Sequence, residues 1–418
     1  MNALWREARL MLRDRAVWAW GAVLLCLSTL AVVGGLWEVA HQRSSIERLL
    51  AADRADRTVV LQAQKDWGAA AYASFHLTYD PPSDFAFAAN GRRDDAAWKH
   101  RVRMLALEGQ IHERDAGHPV LALVGRFDFA FFAAFVLPLA LIVLLHDLRA
   151  SERQAGRHDL LLATAGRAAS LWHLRAGLRS AWAYAWAVLP LVAGALISGT
   201  AVGTWLAACG LLLLYTAFWG MLCAALAAWQ RPGEVILASL LGLWALLAVV
   251  LPALGRQAID RAVPLPSGGQ IVLTQREAVN AAWDLPKAST MTAFTERHPE
   301  WAAYAAVERP FEWKWYYAFQ QVGDQRAEAL SAAHTQGRLA RDQLAARWAV
   351  LAPPVWFERS LQSLAGTDVN ATLAYEAQVR AFHAALRKFY YPKLFRNEAF
   401  DPKALSELPQ YNPVMRAR

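Results

Sequence analysis

In this 418-residue sequence the side chains able to do chemistry are few and scattered. All three cysteines, Cys26, Cys209 and Cys223, sit inside apolar runs, where burial raises a thiol pKa, so they are expected to be lipid- or helix-packed rather than nucleophilic. The 11 histidines are dispersed, and the nearest polar pair, His112 and His118, lacks the helical spacing of a ligand pair. No His-Glu-x-x-His, no Gly-x-Ser-x-Gly elbow and no Gly-x-x-x-x-Gly-Lys-Ser/Thr loop occurs. Neither a metal centre, nor an enzyme, nor a nucleotide bound by this chain is therefore expected. Asn370-Ala371-Thr372 fits a glycosylation sequon, a tripeptide common by chance. The charged element that stands out is Asp147-Leu148-Arg149-x-x-Glu152-Arg153-x-x-Gly156, followed by Leu160-Leu161-Leu162 and Arg175. A second is Gly125-Arg126-Phe127-Asp128, which puts a carboxylate at the edge of an apolar run. Such a carboxylate serves either a proton relay or a local ion pair, and Arg126 beside it favours the pair; other charges stay out of the apolar runs, which disfavours a proton-coupled carrier.

The elements that must position these residues are set by the apolar runs. With 56% hydrophobic and 19% charged residues and a mean hydropathy of +0.17, a wholly soluble protein is not expected. The apolar residues are bunched, which excludes disordered, collagen-like and disulfide-scaffold chains. A net charge of +8 suits a nucleic-acid binder, but the basic residues form no long block and no zinc-finger or RNA-binding signature accompanies them. Basic edges on cytoplasmic loops explain the charge, and no nucleic-acid partner is expected.

A spanning helix needs about 20 mostly apolar residues. Residues 17–37 meet this without a charge, behind Arg6, Arg9, Arg13 and Arg15, so a signal anchor with a cytoplasmic N-terminus is predicted. Residues 1–16 place arginines on one face and Leu4, Ala8 and Met11 on another, fitting an interfacial helix or a plain topogenic flank. Residues 38–126 form a first extracytoplasmic segment, and residues 127–145, with Pro138 inside, a second span. Residues 146–180 form an arginine-rich cytoplasmic loop. No charge occurs in residues 181–229, too long for one crossing, so spans at 181–198 and 204–229 are separated by the small residues Ser198 to Gly203. A turn at 230–234 precedes a fifth span at 235–254, and residues 255–418 form an extracytoplasmic domain. There, helical spacing runs from Asp324 to Leu351, before Pro353-Pro354, and from Asp368 to Tyr391, before Pro392. The period-two run Phe311, Trp313, Trp315, Tyr317 suits ordinary packing first, and otherwise a strand face or an aromatic shelf at the bilayer surface. The predicted class is an all-α polytopic membrane protein with five transmembrane helices and a mainly helical extracytoplasmic domain. The tail is expected to be folded, to pack on residues 38–126 and to cap the outer mouth of a path, or else to stabilise a dimer.

Several strings carry a family resemblance. Gly125-Arg126-Phe127-Asp128-Phe129-Ala130-Phe131 opens a span containing Leu137-Pro138-Leu139, and the Glu152-Arg153-x-x-Gly156 element precedes Leu160-Leu161-Leu162-Ala163. Leu243-Trp244, Leu251-Pro252-Ala253-Leu254, Pro353-Pro354 and Leu364-Ala365-Gly366-Thr367 follow. Together they resemble ABC-2-type permeases, the membrane subunits of ATP-driven exporters, in the branch with a large extracytoplasmic domain of unknown function. The resemblance implies a bacterial inner-membrane exporter subunit, homodimeric or paired with a sister permease, in contact with membrane lipid. ATP and Mg would be held by a separate ABC ATPase subunit, contacted through Glu152, Arg153, Gly156, Leu160, Leu161, Leu162 and the segment to Arg175. A periplasmic partner or a released substrate would meet the tail. Two departures stand out. His173-Leu174-Arg175 keeps a charge but lacks the glycine that family members often carry, and five spans replace the usual six, as in a five-span variant or a shortened chain. The rival reading is a membrane-anchored sensor or scaffold binding a periplasmic ligand or protein.

Overall fold

A computed structural model describes residues 3–94, 96–112, 127–164 and 168–414. The described chain is 77% helical with one two-stranded sheet, which places it in the all-α class. We number the principal helices α1 (Ala3–Met11), α2 (Arg15–Gln62), α3 (Trp67–Ala73), α4 (Leu107–His112) and α5 (Phe129–Gln154). They continue as α6 (His158–Thr164), α7 (Ala168–Ser198), α8 (Val202–Leu226) and α9 (Gly233–Ala262). The remainder are α10 (Gly268–Ala281), α11 (Lys287–Thr295), α12 (Trp313–Trp348), α13 (Pro353–Ala365) and α14 (Val369–Phe395). Strands β1 (His76–Tyr79) and β2 (Lys99–Val102) pair antiparallel, with His76 opposite Val102.

Helices α2, α5, α7, α8 and α9 are each long and apolar enough to cross a membrane. They pack together around Leu24, Leu141, Leu191 and Leu212, all fully buried, yet leave Leu30 at 62%, Leu196 at 69% and Met221 at 67% exposed. A bundle with large aliphatic side chains on its outside is built for a lipid solvent, as in a multi-pass membrane protein. Gly199, at φ +73°, makes the left-handed turn that separates α7 from α8.

Three spans contain a proline, and at two of them the neighbouring helix repairs the backbone. A proline removes one N–H and orphans the carbonyl four residues earlier. Ahead of Pro138 the helix widens into a π turn over Phe132–Val136, and the Ala134 carbonyl accepts a hydrogen bond from the Tyr215 hydroxyl of α8 at 2.6 Å. In α7, Pro190 orphans the Trp186 carbonyl, which accepts from Ser28 Oγ of α2 at 3.4 Å. Pro252 in α9 likewise follows a π turn, Leu246–Val250.

Several boundaries differ from the sequence-based expectation. Helix α2 does not end at Trp37; it continues to Gln62, because Glu38, Val39, Gln42, Ser45, Ile46 and Asp53 keep one face buried at helical spacing. The last span runs past Leu254 to Ala262. Helix α12 starts at Trp313, so Phe311 precedes it while Trp313, Trp315 and Tyr317 are helical and the strand face is overturned; Trp313 stacks on Tyr317 one turn on, and Trp315 and Tyr317 are core residues. Gly255 of α9 abuts Trp348, and Trp313 lies at the opposite end of α12, about 50 Å along its axis. Helix α14 passes through Pro392 to Phe395, since burial of Tyr390, Tyr391, Leu394 and Phe395 outweighs a proline cost of about 3 kcal/mol.

The second core joins α3, α4, β2, α10, α11, α12 and α14 into a helical body at one end of the bundle. The tail does pack on the segment after α2: Tyr317 donates to the Gly68 carbonyl at 2.8 Å, the Tyr375 hydroxyl meets Thr78 Oγ1 at 3.1 Å, and Trp67 donates to the Ala399 carbonyl at 3.1 Å. Two pieces of the body intrude among the spans. Residues 85–89 pass so close to Gly35 that a Cβ there would meet the Phe87 carbonyl oxygen at 2.0 Å. Helix α13, expected to lie wholly outside the bundle, instead buries Pro354, Phe357, Leu361 and Ala365 in the bundle core. Phe357 stacks on Tyr215 at 4.6 Å, about 20 Å along α8 from Val202. Ser83 Oγ donates to the Ala365 carbonyl at 2.6 Å and Thr367 Oγ1 to the Ala89 carbonyl at 2.8 Å, stapling the two intrusions together.

Candidate functional site

At the end of the bundle remote from the body, the charged element closes into a collar. Residues 146–149 turn the chain after the apolar part of α5, so that Glu152 and Arg153 project from its final turn. Glu152 accepts from Arg157 Nε at 2.8 Å and from Arg175 Nη1 at 3.1 Å. Arg175 also donates through Nε to Glu7 of α1 at 2.7 Å. Arg153 donates to the carbonyls of Trp229 and Arg231, at 2.8 and 3.1 Å, in the turn between α8 and α9. Arg179 adds a hydrogen bond to the Leu144 carbonyl. The Trp172 ring, buried on α7, receives Arg149 and Arg175 over its face and stacks on His158.

Glu152, Arg153 and Arg175 are thus brought together as internal ties between α1, α5, α7 and the 229–231 turn. Gly156, at φ +68° with open space where a Cβ would be, turns the chain into α6. The leucine triplet is not uniform: Leu160 is 66% exposed, while Leu161 and Leu162 are half-buried. A groove of about 670 Å³ lies beside it, lined by Arg149, Arg153, Gly156, Asp159 and Arg231. Glu7 and Trp172 were missed from the sequence. A lone glutamate among the arginines of the first helix is the signal that could have found Glu7.

Of the membrane-edge motif, Gly125 and Arg126 lie outside the described residues. Phe127 is partly exposed and packs edge-on against Phe131. Asp128 is buried; its Oδ1 caps α5 by accepting from the Phe131 N–H at 2.8 Å, and its Oδ2 accepts from the Asn90 N–H at 2.8 Å. The carboxylate therefore fixes the 85–90 intrusion against the second span.

The body is joined by a buried ionic network. Glu108 accepts from Arg380 Nε and Nη2 at 2.8 and 3.0 Å and from Ser331 Oγ at 2.8 Å. Asp324 accepts from the Leu107 and Glu108 N–H groups, Gln275 and Arg387. Burial by itself would raise the Glu108 carboxyl, but the hydrogen bonds from His112, Arg380 and Ser331 and the charge of Arg380 hold it well below the usual carboxylate range. Burial pushes His76 down to about 3, helped by the charge of Arg57, and lowers His383 strongly.

Where α9 meets the body, a cleft of about 800 Å³ opens between α9, α12, α13, the start of α14 and residues 92–112. Among the described residues no three His, Cys, Asp or Glu side chains are grouped to hold a metal ion. A family model described as a domain of unknown function (DUF3526) matches residues 270–413, which include α11 to α14 and hence the intruding helix and much of the cleft wall. No curated protein and no solved structure matches the chain.

Proposed function

We propose that this chain is the membrane-spanning permease subunit of an ATP-driven ABC exporter of the ABC-2 type, its body outside the inner membrane and its collar in the cytoplasm. ATP and Mg belong to a separate ATPase subunit. The observation that carries the reading is the collar: the charges of the Glu152-Arg153-x-x-Gly156 element are spent on tying four parts of the chain together, while Leu160 stands exposed on α6 beside them. An exposed leucine backed by a braced charged frame is a docking point whose displacement reaches α1, α5, α7 and the α8–α9 turn at once. The wedge of α13 among the spans extends that link to the body.

The test is co-purification with the ATPase encoded beside this chain, comparing the native protein with Leu160→Asp. The Leu160 side chain is 66% exposed, so the substitution should lower recovery of the ATPase about tenfold or more, in line with loss of an apolar docking anchor, while changing the permease's own melting temperature little. Undiminished complex together with undiminished ATP-dependent efflux would overturn the coupling role and favour a sensor or scaffold.

A further inference from the structure

The cleft between α9 and the body has a polarity gradient. Its floor, where α9 leaves the apolar zone, is made by Leu251, Pro252, Trp348, Ala352 and Val355. The lining also carries Arg338, Arg341, Arg359, Arg92 and Arg256. Three of these five cations are neutralised: Arg338 by Glu376 at 2.6 Å, Arg341 by Asp260 at 2.8 Å and Arg359 by Asp342 at 2.7 Å. The remaining acid of the lining, Asp368, is occupied as the N-cap of α14. Arg92 and Arg256 are exposed and make no ion pair among the described residues. The lining thus carries five arginines against four carboxylates, and the two arginines without an ion pair share the cleft with an apolar floor.

We infer that this cleft binds an anionic amphiphile, with an alkyl chain along Trp348, Val355 and Leu251 and a phosphate, sulfate or carboxylate head on the arginines that have no ion pair, Arg92 and Arg256. Its size falls within the range of small-molecule sites, roughly 300–1,000 Å³. A guanidinium matches the planar, multidentate geometry of such heads. Gly255 packs directly on Trp348, so the span itself forms one side of the cleft. The inference needs neither an ATPase nor transport.

The experiment uses the full chain in phosphatidylcholine nanodiscs, without ATPase, and a photoreactive dodecyl phosphate carrying its diazirine near the chain end; adducts are mapped by peptide mass spectrometry. Saturable labelling of peptides containing Trp348 or Val355 is expected, competed by dodecyl phosphate and dodecanoate but not by dodecanol or inorganic phosphate. Arg92→Gln with Arg256→Gln should weaken labelling about tenfold or more, as expected for loss of charge-assisted hydrogen bonds. Competition by dodecanol equal to that by dodecyl phosphate would overturn recognition of the head, and full competition by inorganic phosphate would reduce the cleft to a plain anion site. The competition series is run on the native chain, so it decides the matter even where a variant fails to fold. Labelling spread evenly over the exposed spans would overturn the site.

Discussion

The collar and the body both use arginine–carboxylate pairs, but they use them differently. In the body, Glu108 and Asp324 each gather several donors from α4, α10, α12 and α14, and both carboxylates are largely buried, with Arg380 29% exposed beside them. In the collar each contact joins one element to the next, with Arg157 61% exposed and carbonyls serving as acceptors. A multi-donor buried network holds one arrangement; a chain of single, partly wet contacts can be re-made at little cost. The body is constructed to keep its shape and the collar to be moved.

The comparison breaks most visibly at Glu108. Glu108→Ala leaves Arg380 without its principal partner in the body and should cost about 3–5 kcal/mol, the usual penalty for removing one member of a buried pair. Thermal unfolding in nanodiscs measures it, and a loss under about 1 kcal/mol would mean the network is solvated.

Acid should separate the two regions next. The folded body holds His76 near 3 against about 6.5 unfolded, so between those values the unfolded chain binds more protons. Stability is therefore complete above about pH 6.5 and is lost as pH falls, by about 2 kcal/mol at pH 5 from this residue. Glu108, held low, adds its own loss only as pH falls below the ordinary carboxylate range. Melting curves of the native chain and His76→Phe at pH 7.5 and 5 check the sign; a native chain more stable at pH 5 would refute it.

A third expected effect lies in the bundle. Tyr215→Phe removes the donor to the Ala134 carbonyl orphaned by Pro138 and should cost about 1–2 kcal/mol. Pro138→Ala added to it should recover part of the loss, since the backbone then supplies its own donor; strict additivity in a double-mutant cycle would disprove the link.

The smallest effect belongs to the collar. Glu152→Gln should change the melting temperature by less than about 1 kcal/mol equivalent, because its pairs with Arg157 and Arg175 are partly exposed. It should still reduce ATPase recovery if α6 loses its brace. A large stability loss with intact complex would reverse the assignment of roles.

The five apolar helices were legible because about 20 uncharged residues in a row have few other uses. The α7–α8 break was legible too, since Gly199 adopts a backbone angle that glycine alone adopts freely. What escaped were features decided by a particular distant partner. The face that keeps α2 going past Glu38 is polar in composition and buried only because the body covers it. Pro354, Phe357, Leu361 and Ala365 spell an amphipathic helix, but periodicity does not say whether its apolar face meets a soluble core or the spans. In the candidate site, Glu152, Arg153 and Arg175 were legible as a charged cluster. That they face inward and Leu160 outward depends on Glu7 and on carbonyls in the 229–231 turn, far away in sequence.

The unbroken course of α2 has a mechanical corollary. Its 48 residues make a rod about 72 Å long, of which about 37 Å extends beyond Trp37. Rotation by about 10° around the membrane portion would swing the Gln62 tip by about 6 Å, by simple leverage at ~1.5 Å rise per residue. The tip is bound to the body through Arg57, which donates to the Phe75 carbonyl at 3.2 Å. Small angular changes at one membrane face are thereby magnified into strokes at the far end of the molecule, and a load on the far end is geared down in return.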